Sequence, residues 1–158
     1  DISVDPEILD YIKYAKEHPE RHWEKVELSE VSNRAVNDIK KETGIDTTGF
    51  THWIDVDFVN HTEKRHGESG EQDHSMADDS DLARVKFVID NYDDLKVSDH
   101  NGTRAYRNTD GSRAKTIVYQ KAINGTYYIV EAVPDSKAKK LHLLSAYIST
   151  KKETTLPS

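Results

Sequence analysis

The sequence predicts an α+β fold, with N-terminal helices packed on a C-terminal antiparallel sheet of about four or five strands. Three observations carry that prediction. Apolar residues recur at helical spacing in successive segments of the first ninety-odd residues. After Val97 turn residues and short extended pieces replace that period. The clearest local pattern then follows: "TIVYQKAI", Asn124-Gly125 and "TYYIVEAV", which read as a β-hairpin closed by a type I′ turn.

Each element has its own justification. In "DPEILDYIKYAKEHPE" Asp5 is an N-cap with Pro6 at the first helical position, and Ile8, Leu9, Tyr11 and Ile12 form an apolar stripe until Pro19 interrupts it. A second helix starts at Ser29 or Ser32, carries Val31, Ala35, Val36 and Ile39 on one side, and ends at Thr43 before Gly44 in the C′ place. "IDTTGFTHWIDVD" reads as a turn and a short extended piece around His52, Trp53 and Ile54, after which Asp55 or Asp57 caps a third helix through "FVNHTEKRH" to Gly67. Residues 67–80 carry acids without apolar period and read as a mobile loop. Ser80 opens a fourth helix faced by Leu82, Val85, Val88 and Ile89. Short extended pieces are expected near residues 96–98 and 103–107, followed by the hairpin, the connection "PDSKAKK" and the strand "LHLLSAYIST". In domain terms, residues 1–42 read as a helical accessory segment or linker, 43–152 as the main domain, and 153–158 as a tail.

Composition narrows the class. The chain has 158 residues, 35% of them hydrophobic and 32% charged, enough for one folded domain with a core. It contains no cysteine, so neither a disulfide framework nor a thiolate metal site can form. No apolar run reaches the length of a membrane span, and no membrane partner is expected. A net charge of −7 argues against a nucleic-acid partner, but the average hides a split: residues 101–152 sum to +7 and the first hundred to −13. An anionic ligand on the basic half and a solvated basic strand edge both fit that asymmetry.

The stretch "NHTEKRHGESGEQDH" holds three of the eight histidines. His61 and His66 are five apart, whereas two helical zinc ligands sit four apart on one face, so the spacing disfavours a zinc pair; no metal site and no cofactor are expected. Proton transfer at phosphorus, with one base and one acid, fits two imidazoles titrating near neutrality, and a nearby cation such as Arg65, Lys64 or Lys121 could stabilise the phosphate charge. A solvated polar helix face fits the same residues. On the strands, Lys121 falls with Ile117, Tyr119 and Ile123, while Ser145, Tyr147 and Ser149 fall with Leu141 and Leu143; a Lys, a Ser and a Tyr so placed could bind a phosphate. Tyr119, Tyr127, Tyr128 and Tyr147 equally suit cross-strand packing.

The order "TGIDTTGFTHWIDVDFVNHTEKRHG", an acidic helix ending "IDNYDDL", and then "YQKAINGTYYIVEAV…KKLHLLSAYISTKK" resembles the phage-associated barnase/EndoU/colicin/RelE-like nuclease domains of MuF-type phage proteins and bacterial polymorphic toxins. The resemblance spans residues 43–152 and implies a BECR-like fold with metal-independent ribonuclease activity. It implies 2′-hydroxyl transesterification with RNA, tRNA included, as substrate. His61, His66, Lys121, Ser145 and Tyr147 are then the expected catalytic residues; Arg65 and Tyr119, with Lys137, Lys139 and Lys140 from the basic half, are the expected substrate-binding ones. Action in the cytoplasm of a bacterial cell, reached by secretion or with a phage particle, goes with this resemblance, as does room for a cognate immunity protein. The alternative is a non-enzymatic protein-interaction domain of a phage or toxin protein.

Overall fold

The structure, a computed structural model, describes residues 1–98, 108 and 110–152. Its elements run α1 (Pro6–Glu17), β1 (Lys25–Glu30), α2 (Asn33–Thr43), β2 (Thr51–Asp55), α3 (Val56–His66), α4 (Asp79–Leu82), α5 (Val85–Asp90), β3 (Asp94–Ser98), β4 (Thr116–Ile123), β5 (Thr126–Asp135) and β6 (Lys140–Ser149). The caps follow the sequence: Asp5 accepts from Glu7 and Ile8, Ser32 from Ala35, Asp55 from Phe58, and Gly44 takes the left-handed conformation after α2. The expected fourth helix is two short ones. Between them Arg84 is held by Asp81, by Ser3 at 3.0 Å and by Asp1 at 2.6 Å, while Ala83 O accepts the Asp5 amide.

The α+β class stands, with a six-stranded sheet in the order β1-β2-β6-β5-β4-β3. Strands β3 to β6 form the antiparallel meander, and Asn124 and Gly125 both take positive φ in the β4–β5 turn, as a type I′ turn requires. Two strands at the other edge enlarge it. β2 pairs in parallel with the start of β6, and β1 pairs antiparallel with β2. Residues 1–42 therefore contribute an edge strand, and Ile8, Ile12, Ala15, Ala35 and Ile39 join the same core as the sheet. Strand β1, "KVELSE", escapes the sequence reading although Val26 and Leu28 alternate with Lys25, Glu27 and Ser29, because two apolar positions make a short signal beside the helical pattern that follows. The expected strand at 103–107 lies outside the described residues. None of the described helices is long and apolar enough to cross a membrane.

Cross-strand register assigns the faces. Ile117, Tyr119 and Lys121 of β4 pair with Ala132, Val130 and Tyr128 of β5, which pair in turn with Leu143, Ala146 and Ile148 of β6. The apolar members of these rows form the core beneath the helices. Glu131, Ile129, Ser145 and Tyr147 occupy the other face. A bulge between Glu131 and Ala132 inserts Leu144 as an extra residue in β6. Strict alternation places Ser145, Tyr147 and Ser149 with Leu141 and Leu143; the bulge corrects that and puts them on opposite faces.

Candidate active site

His66 ends α3, and the acidic loop after it folds back over the helix end. The Arg65 carbonyl accepts from Gln72 and Asp73, and the His66 carbonyl accepts from Met76 at 2.8 Å. Gly70 permits this return, since a Cβ there would lie 2.1 Å from the Asp73 carbonyl oxygen. Met76 is buried. The segment expected as a mobile loop is thus tied to its neighbours, and it serves the sheet as well. β2 accompanies β6 only along Lys140–His142, and farther on the Ile148 N–H of the open β6 edge donates to Ser75 Oγ at 3.0 Å.

That attachment fixes the imidazole. His66 Nδ1 lies 3.0 Å from Asp73 Oδ2, the Ser75 amide donates to Asp73 Oδ1 at 3.0 Å, and the His66 ring stacks on Tyr147 with centroids 4.9 Å apart and planes 18° from parallel. Burial alone would raise the Asp73 carboxyl, but hydrogen bonds from Ser75 and His66 outweigh it and hold Asp73 below the usual carboxylate range. Asp73 is therefore ionised near neutrality and accepts from Nδ1–H, which leaves Nε2 as the nitrogen that can give or take a proton. His66 itself is only 4% exposed. Beside Tyr147 on the same face, Ser145 Oγ donates to Glu131 Oε1 at 2.5 Å.

The other expected site residues are spread over several faces of the fold. His61 is half-buried on α3, and five helical steps turn it roughly 140° from His66. Lys121 lies on the helix side of the sheet, 3.4 Å from Asp93 and over the Phe87 ring, so the proposed Lys, Ser and Tyr triplet is divided between two faces. Tyr119 is fully buried; its hydroxyl donates to His52 Nε2 at 2.7 Å and its ring packs on Tyr92, so it offers no surface to a ligand. Arg65 is partly exposed and its side chain makes no ion pair among the described residues. Lys137 and Lys139 are exposed in the β5–β6 turn, and Lys140 Nζ sits 4.2 Å from the Trp53 ring centroid. Asp73, Ser75 and Glu131 were missed: Asp73 follows His66 by seven residues across an irregular loop, and Glu131 meets Ser145 only through strand register. No group of three His, Asp or Glu among the described residues could hold a metal ion.

No curated protein and no solved structure matches the chain. A family match does exist, and it begins at Ser29 rather than at residue 43, where the sequence resemblance starts. Covering residues 29–155 with the description phage-Barnase-EndoU-ColicinE5/D-RelE like nuclease3, it spans most of the chain, and the protein belongs to this nuclease family, PBECR3.

Proposed function

We propose that this nuclease domain cleaves RNA without a metal ion, by attack of a ribose 2′-hydroxyl on the adjacent phosphate, with His66 as one proton-transfer group. The observation that supports the reading is the imidazole fixed between the Asp73 carboxylate and the Tyr147 ring, with Nε2 left for chemistry. Glu131, on the same sheet face and bonded to Ser145, is the second group. In the reaction Glu131 accepts the 2′-hydroxyl proton, the 2′-oxygen bonds to phosphorus, and the 5′-oxygen leaves with a proton from His66. The products are a 2′,3′-cyclic phosphate and a 5′-hydroxyl. Arg65, adjacent to His66 in sequence and unpaired among the described residues, neutralises the phosphate charge that builds up. Histidine acid/base chemistry thus keeps His66 and replaces His61 with a carboxylate, because His61 points away around the helix.

The test is incubation with total RNA and with purified tRNA in the presence of EDTA, followed by identification of the product ends. Fragments ending in a 2′,3′-cyclic phosphate, lost in folded His66→Ala and Glu131→Gln variants, are the expected result. Intact RNA would overturn the proposal and leave the protein-interaction domain as the better reading. Growth arrest on expression in a bacterial cell, relieved by a cognate immunity protein, would extend the activity to its proposed setting.

A further inference from the structure

One corner of the same sheet face carries an aromatic and cationic cluster that the proposed chemistry does not use. Strand register pairs Thr51 of β2 with Lys140 of β6 and Trp53 with His142, so all four side chains share the face that bears Ser145 and Tyr147. Trp53 is partly exposed, and its indole N–H donates to Thr51 Oγ1 at 2.7 Å, which fixes the ring. Lys140 Nζ lies 4.2 Å from that ring's centroid, and Lys137 and Lys139 are exposed in the turn that precedes Lys140. Neither of those two lysines makes an ion pair among the described residues.

We propose that Trp53, His142 and Lys140 form a base-stacking subsite for a single-stranded polynucleotide, so that the substrate is an extended strand held well away from the scissile phosphate. The proposal gives the substrate class for the ribonuclease reading and rests on it for its catalytic meaning. From Tyr147 to His142 is five residues of β6, roughly 16 Å at the ordinary rise of a strand. A dinucleotide cannot span the two places, whereas a few nucleotides of single strand can. An indole face takes any base, which suits binding without sequence preference. Stacking displaces the Lys140 ammonium from the ring on its flexible stem and frees it for a phosphate. The corner is not a strongly basic patch, because Glu27 lies across from Trp53 and Asp135 is 3.4 Å from His142. Stacking leads the binding, and Lys137, Lys139 and Lys140 add a modest salt-dependent part.

The experiment measures binding apart from cleavage. In a His66→Ala, Trp23→Phe protein, Trp53 is the remaining fluorophore of the two tryptophans. It is titrated with a 2′-O-methyl single strand, a DNA single strand and an RNA duplex. Saturable quenching by both single strands, and far weaker quenching by the duplex, is expected. Binding of a labelled strand should weaken on the order of tenfold to a hundredfold in Trp53→Leu, and the logarithmic salt slope should be about −2 for three lysine contacts. Lys140→Met, which leaves the ring in place, should lower that slope by about 0.7. Absence of quenching, equal affinity in a folded Trp53→Leu protein, or preference for the duplex each overturns the subsite. Strand binding by a protein that never cleaves RNA would leave the subsite and remove the ribonuclease reading. Cleavage of RNA without Trp53 quenching would do the reverse.

Discussion

Acid should destabilise this protein through His52 before the carboxylates titrate. His52 is 1% exposed, on β2, with Nδ1 3.1 Å from the Ser29 carbonyl and Nε2 2.7 Å from the Tyr119 hydroxyl. The carbonyl can only accept, so Nδ1 carries the proton and Nε2 accepts from Tyr119. A second proton, on Nε2, would place a charge in the core and make the Tyr119 hydroxyl turn from donor to acceptor. Burial accordingly pushes His52 down from 6.5 to about 4. Because the folded value lies below the unfolded one, the unfolded chain binds the extra proton first. Stability is complete above about pH 6.5 and falls as the pH drops toward 4, by about 3 kcal/mol at 1.36 kcal/mol per pH unit. That is a large share of a typical total of roughly 5–15 kcal/mol. Urea unfolding of the parental and His52→Gln proteins between pH 7.5 and 4.5 measures it. The glutamine has no titration, so the parental protein should lose about 2–3 kcal/mol more than the variant across that range. His142, also held below its ordinary range by burial, titrates in both proteins and cancels in the difference. Parallel stability curves, or an NMR titration of His52 near pH 6.5, would refute the argument.

The catalytic proposal makes three further predictions. His66→Ala should lower the RNA cleavage rate on the order of 10²-fold or more, while His61→Ala, turned away around α3, should leave it within a few-fold; equal losses would restore the two-histidine pair. Asp73→Asn should reduce the rate by about tenfold or more and change the pH profile, because an amide can donate to Nδ1 and move the ring proton to Nε2; an unchanged profile would remove Asp73 as the positioning residue. Cleavage should proceed at the same rate in EDTA, since the proposed route draws both proton transfers from side chains, and recovery only with added zinc or manganese would contradict it.

Local chemistry in the sequence determined the elements whose signals are short-range. Asp5, Ser32 and Asp55 cap helices because a side-chain oxygen satisfies amides two or three residues away, and Asn124-Gly125 closes the hairpin because both residues accept positive φ. The family resemblance, and not local chemistry alone, selected His66 and Tyr147, beside His61, Lys121 and Ser145. Tertiary structure decided what depends on distant partners. β1 pairs along the edge that β2 offers, and its alternation of Val26 and Leu28 is too short to say which strand it meets. A single bulge at Leu144 moves Ser145 and Tyr147 to the face opposite Leu141 and Leu143, and so away from Lys121, since one inserted residue reverses every side chain beyond it. Tyr119 became core because His52, sixty-seven positions away, meets its hydroxyl. Asp73 became the partner of His66 because the loop between them returns over the helix end and is fastened by Ser75 to the open edge of β6. A sequence pattern carries period and caps, but a register shift or a loop's return is set by what the rest of the chain leaves unsatisfied.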